Sequence, residues 1–218
     1  DILKYALEMY REKNNGFIFQ PTNFSKVKKD VVFRMIDTML ETYSEKDSLY
    51  PIKIALQDIH AEVLSNINRP DIPWVEHREY IKEIRRKYPK ANIQPEVILG
   101  LPGFTLEKYK HQLKEFLKIP MSPIADYNWI RLPNSPADQK EYQEKHNLVV
   151  VKSYWGNGER EDMMMIKDGL RDVVGAKAYS VLYNFCSNYL WYSCCFKNKK
   201  IFTEEQSSRF VDSIFDKT

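Results

Sequence analysis

A chain of 218 residues, 43% hydrophobic and 29% charged, is a globular sequence rather than a disordered or fibrous one, and at this length one domain with an appendage is expected. The chain is short for a closed eight-stranded barrel, which typically needs roughly 250 residues, and no apolar run approaches the roughly 20 residues of a membrane helix. Its 33 basic and 30 acidic residues leave a formal charge of +3, too even to signal a nucleic-acid partner.

The opening residues Asp1-Ile2-Leu3-Lys4-Tyr5 show neither an initiator methionine nor a signal-peptide pattern, and suggest a piece of a longer protein. Residues 2 to 13 carry Ile2, Leu3, Ala6, Leu7, Met9 and Tyr10 at helical spacing. Phe17-Ile18-Phe19-Gln20 is then a short strand closed by Pro21, and Val31 to about Tyr43 forms the helix after it. Pro51 to Gln57 repeats the arrangement, with Asp58 as the expected cap of a helix through Val63 and Leu64. A second helix, Trp74 to Tyr88, precedes the central unit. There Val97, Ile98 and Leu99 are too few and too β-branched for a helix, and read as a strand buried on both faces. Gly100-Leu101-Pro102-Gly103 turns the chain, and Thr105 caps a helix with Leu106, Tyr109, Leu113, Phe116 and Leu117 on one face. Ile124 to Leu132 is a fourth strand, stopped by Pro133-Asn134-Ser135-Pro136.

Four strands at roughly 17–20, 52–57, 94–100 and 124–132, separated by helices, predict an α/β fold with a parallel sheet and right-handed crossovers. Residues 1–136 are assigned to this part. Residues 137–218 form a mainly helical C-terminal region, in which Leu148 to Lys152 is a possible strand and only helices follow Gly158: Glu159 to Asp172, Ala176 to Phe196 and Thr203 to Phe215. The methionines 163–165 read as core filling.

Side chains alternate along a strand, so Lys53, Ala55 and Gln57 share one face and Ile52, Ile54 and Leu56 the other. The same reading turns Glu96, Ile98 and Gly100 inward, with Asp126 or Asn128 on the next strand. A row of polar residues inside a parallel sheet is either a hydrogen-bonded network or a ligand site. No nucleophile elbow, Walker loop, zinc-protease helix or dinucleotide glycine fingerprint is present. His60, His77, His111 and His146 sit among charges and read as solvated. Cys186, Cys194 and Cys195 match neither zinc nor iron–sulfur spacing, so no metal ligand is assigned, and their odd count fits a reducing cytoplasm. The basic run Lys82 to Lys87 is a solvated helix face.

Three motifs taken together carry a family resemblance. Ile54-Ala55-Leu56-Gln57-Asp58 followed by Glu62 to Arg69, then Ile98-Leu99-Gly100-Leu101-Pro102-Gly103-Phe104-Thr105, then Leu132-Pro133-Asn134-Ser135-Pro136, resemble the later half of a radical S-adenosylmethionine core, closest to the proteins that also carry a cobalamin-binding domain. Asp58 stands where that family has Ser, and Asn134 where it has Gly. The resemblance implies a partial (β/α) barrel, of whose six units these are the last four, with S-adenosylmethionine across the strands' carboxyl ends. It implies cofactor contacts at Gln57, Ile98, Gly100 and Leu132, with Gln20, Glu96 and Asn128 as substrate-side candidates. The cluster loop Cys-x-x-x-Cys-x-x-Cys is nowhere in this sequence. The [4Fe-4S] cluster, and cobalamin if used, would belong to the parent protein, with its N-terminal half as partner; this chain alone is then expected to be inactive. The competing reading is a non-catalytic α/β binding or docking module.

Overall fold

The computed structural model describes residues 5, 8–9, 31, 34–35, 37–38, 41, 52–69, 73–87, 92–119, 121–155, 158–196, 205–206, 209 and 212–213. The expected strand at 17–20, and Gln20 with it, lie outside them. Three strands, β1 (Ile52–Gln57), β2 (Ile93–Leu99) and β3 (Ala125–Asn128), form a parallel sheet in the order β1-β2-β3. Parallel neighbours need long crossovers. They are supplied by α1 (Ala61–Asn66) and α2 (Trp74–Lys87) between β1 and β2, and by α3 (Leu106–Leu117) between β2 and β3.

The alternation of β1 decides where the core lies. Ile52, Ile54 and Leu56 are buried, and with Ile93, Val97 and Leu99 they meet Tyr80, Ile81 and Ile84 of α2 and Tyr109, Leu113 and Phe116 of α3. Thr105 caps α3 as expected, its side chain accepting the Lys108 backbone N–H at 3.2 Å. Asp58 does not cap α1: the N-cap position is His60, and the Asp58 carboxylate instead accepts the His60 backbone N–H at 2.7 Å. An Asx-type turn thus precedes the helix by two residues, which a short polar side chain after a strand favours over capping.

The C-terminal region departs from expectation. Residues 159–166 are not helical: β4 (Leu148–Trp155) and β5 (Gly158–Ile166) pair antiparallel, with Val149 opposite Met165 and Val151 opposite Met163. Met164 and Met165 are buried, so the methionines do fill core, but from a strand. The hairpin docks on the continuation of β3: the Met164 N–H donates to Trp129 O at 2.9 Å, and Ile130 bridges Met163. It follows the short helix α4 (Lys140–Lys145). The long helix α5 (Leu170–Phe196) buries Val173, Ala176, Tyr183, Cys186 and Leu190 against the sheet's helical layer. Its opposite face exposes Leu170, Val174, Val181, Phe185 and Tyr189, so it is not buried all round. Among the described residues no helix is long and apolar enough to cross a membrane.

Candidate functional site

The helices and their apolar core occupy one face of the sheet. The other face carries Lys53 from β1, Glu96 from β2 and Tyr127 from β3. Glu96 is only 4% exposed, and a buried carboxylate needs partners. It finds Lys53 Nζ at 3.1 Å, and Tyr127 donates its hydroxyl to the same oxygen at 3.0 Å. Lys53 is held in its charged form, its pKa raised first by the hydrogen bond to Glu96. The Tyr127 phenol is pushed up by burial and then by Glu96. Tyr127 remains 41% exposed, so the network is buried beneath and open above. Gln94 adds an amide on β2, donating to Pro123 O at 3.0 Å.

Glu96 and Ile98 thus stand on the inner face, as their alternation predicts: Glu96 pairs with Ala125, and Ile98 with Tyr127. The next strand has the other parity. Asp126, expected inward, lies against α5, where Ser180 donates to it at 2.8 Å and Lys177 approaches to 3.2 Å. The inward residue is Tyr127, because β3 enters the ladder with Ala125 opposite Glu96. Asn128, opposite Leu99 at the strand's end, shares the parity of Asp126. Its Oδ1 is buried and, among the described residues, has no hydrogen-bond partner.

Gln57 closes β1 half-buried, but the ladder slips between Ala55 and Gln57, so that Gln57 falls opposite Val97. Its φ is +65°, and the Asp58 N–H donates back to Leu56 O at 2.8 Å across it. A non-glycine residue in this region is costly and marks a position held by its surroundings. Gly100 ends β2 with φ +83°. A Cβ there would meet only ordinary contacts with Met164 O, Val173 and Met165, so the glycine answers to the turn's backbone and not to lack of space. Gln57, Gly100 and Asn128 therefore stand at the carboxyl ends of three adjacent strands, where parallel α/β folds place ligands. Leu132 does not join them closely: it is 63% exposed, four residues past β3, in the turn where Ser135 N–H donates to its carbonyl.

A separate cavity of about 430 Å³ opens between the Gly100–Thr105 turn and the turn from β5 into α5, with Lys108, Lys167 and Asp172 on its wall. The reading of β5 as a helix left no means of finding it.

The histidines behave differently from expectation. His77 is buried, while His60 donates through Nδ1 to Asp58 Oδ1 at 2.7 Å and meets His111 Nδ1 through Nε2 at 3.2 Å. His111 lies on the exposed face of α3, and burial shifts His146 toward its neutral form. Cys186 is buried, and burial raises its thiol pKa.

No model of a known protein family matches the chain. Its relatives include the ribosomal protein uS12 methylthiotransferase RimO of Prochlorococcus marinus strain MIT 9215, 25% identical over 130 residues, which cover 54% of this chain and 28% of that one. RimO of Parasynechococcus marenigrum strain WH8102 is 37% identical over 81 residues, or 37% of this chain and 17% of that one. This chain resembles the radical S-adenosylmethionine methylthiotransferases. A further relative is a probable threonylcarbamoyladenosine tRNA methylthiotransferase of Pyrococcus abyssi, 24% identical over 88 residues, or 40% of this chain and 20% of that one. The chain spans less than a third of the length of each of these relatives. Among solved structures, the radical S-adenosylmethionine methyltransferase TsrM of Kitasatospora setae matches with a TM-score of 0.47 and 10% identity, over 85% of this chain and 39% of that one.

Proposed function

We propose that residues 52–132 are the later part of a partial (β/α) barrel of the radical S-adenosylmethionine type. In this reading Gln57, Ile98, Gly100 and Leu132 lie toward the cofactor and Glu96 and Asn128 toward the substrate. The observation that carries it is the inner face of the sheet. A parallel sheet ordinarily buries apolar residues on both faces, and here one face carries the Lys53–Glu96–Tyr127 network. The sequence likeness to the methylthiotransferases supports the same reading.

Asn128 Oδ1, on the substrate side, is buried and among the described residues has no hydrogen-bond partner, and the residues present suit S-adenosylmethionine at the strand ends, where the Gln57 amide and the bare Gly100 backbone offer hydrogen-bonding groups. Bound there, that cofactor would supply its sulfonium-activated groups. Gln57 and Gly100 would orient it through backbone and amide. Tyr127 and Lys53 would hold the Glu96 carboxylate in place beneath. The chain's residues do not suit an iron–sulfur cluster, because its three cysteines fall between 186 and 195 and lack the three-thiolate loop. The cluster would come from the N-terminal half of the same protein.

Calorimetric titration with S-adenosylmethionine tests the reading. In a full-length form carrying the cluster loop, Gln57→Ala should weaken binding about five- to 150-fold, the worth of one or two hydrogen bonds at ~1–3 kcal/mol, while the melting temperature of this chain hardly moves. A large fall in melting temperature with unchanged affinity would remove Gln57 from the site. The second reading, a non-catalytic docking module, is favoured by the apolar stripe that α5 exposes at Val174, Val181 and Phe185. It requires that no form of the protein bind S-adenosylmethionine.

A further inference from the structure

We infer that His60 and His111, oriented by Asp58, form a binding site for a divalent transition-metal ion of the zinc type, joining the β1–α1 turn to α3.

Asp58 is the starting point. Its side chain is 4% exposed, and one oxygen, Oδ1, takes both the His60 backbone N–H and the His60 ring Nδ1, each at 2.7 Å. A carboxylate in that position assigns the ring its tautomer: Nδ1 carries the proton, and Nε2 is left as a lone pair. That lone pair faces His111 Nδ1 at 3.2 Å, with the ring centroids 5.3 Å apart and the rings tilted by 51°. The imidazoles therefore meet edge to edge and do not stack.

The spacing fits a shared ion. With zinc–nitrogen bonds of about 2.0–2.1 Å and a tetrahedral angle, two ligand nitrogens lie ~3.3–3.4 Å apart. A carboxylate on the far nitrogen of a ligating histidine is the outer-shell arrangement that fixes ring orientation and raises basicity. With His60 Nε2 as the acceptor, the proton that bridges the two rings belongs to His111 Nδ1. A metal ion would take its place, the displaced Nδ1 proton leaving to solvent as His111 takes one up at Nε2, so that the rings carry the same number of protons before and after. Imidazole nitrogen suits zinc, copper and nickel over calcium or magnesium. Among the described residues no third carboxylate, thiol or imidazole completes the set, so water fills the remaining positions and the site is open.

His60 and His111 are 51 residues apart, and neither is needed for the proposed S-adenosylmethionine reading, so the two stand or fall separately. Titration of the tag-free 218-residue chain with zinc sulfate tests the site. Calorimetry should show one ion per chain, and cobalt(II) should give visible ligand-field bands. His111→Ala, on an exposed position, should keep the circular dichroism of the parent chain yet bind zinc at least tenfold more weakly. Asp58→Asn should weaken binding about ten- to 100-fold. Zinc bound equally well by His111→Ala, zinc lost only when the cysteines are alkylated, or no saturable uptake by the parent chain would each overturn the proposal.

Discussion

The two faces of the parallel sheet are built from alternate residues of the same three strands, yet they do opposite things. On the helical face Ile52, Ile54, Leu56, Val97 and Leu99 are all but sealed. On the inner face Lys53, Glu96 and Tyr127 hold one another by hydrogen bonds and stay partly open. The first face is stabilised chiefly by area removed from water, and the polar groups buried there are paired, as Asp126 is with Ser180. The second is stabilised by a pairing that costs desolvation and returns specificity of position. A sheet needing only stability would be apolar on both sides, and in the proposed reading the polar face is the side that meets cofactor and substrate.

The largest test of this contrast is Phe116→Ala. Phe116 is fully buried between Trp74 and Tyr183, with ring centroids at 5.3 and 6.4 Å, and its loss should cost about 3–5 kcal/mol in denaturant unfolding. Next comes Glu96→Ala, which leaves Lys53 and the Tyr127 hydroxyl short of their shared acceptor. About 1–3 kcal/mol is expected, and most of it should return in the double variant Lys53→Met, Glu96→Leu, since replacing both partners is far milder than stranding one. The same network gives a pH signature. Lys53 and Tyr127 both have folded-state pKa values raised above their ordinary 10.5 and 10.0. The folded state therefore binds more protons in alkali, and stability falls as pH rises past about 10. Melting curves between pH 8 and 11 should steepen in the parent chain and flatten in Glu96→Gln. Tyr127→Phe removes one hydrogen bond from an open position, and about 0.5–1.5 kcal/mol should follow. Smallest of all, Val181→Ser on the exposed stripe of α5, 71% accessible, should stay within about 0.5 kcal/mol. A larger loss would mean that this stripe is covered.

Where local pattern and tertiary packing agree, the fold is readable from residue order. The alternation in Ile52–Gln57, the β-branched run before Gly100 and the Thr105 cap all stand where expected. Glu96 was legible as an inward carboxylate, but its partners were not, because Lys53 lies 43 residues away and Tyr127 belongs to a strand whose parity is set only by its register on β2. The hairpin was missed because three consecutive methionines and a charged lead-in resemble a helix. The available signal was the Gly-Asn pair at 156–157 between two strand-like runs, a residue pair that favours hairpin turns. The histidine pair was beyond reach for a simpler reason: a surface histidine looks solvated until the fold brings another beside it.

The helix α5 also bears on how the chain comes to be folded at all. Tyr109 donates its hydroxyl to Ser180, 71 residues later, Ser180 passes its own to Asp126, and Tyr183 is fully enclosed beside Phe116. A long helix that leaves the ribosome after all three strands therefore closes the core that they lay down. Until about residue 190 has emerged, Phe116 and Leu117 lack their cover, and the nascent sheet presents a sticky surface of the kind chaperones bind. Such long-range closure makes folding slow relative to a chain of local contacts, so a ribosome-stalled chain ending at Gly169 should remain protease-sensitive, and one extended past Phe196 with room to clear the exit tunnel should not.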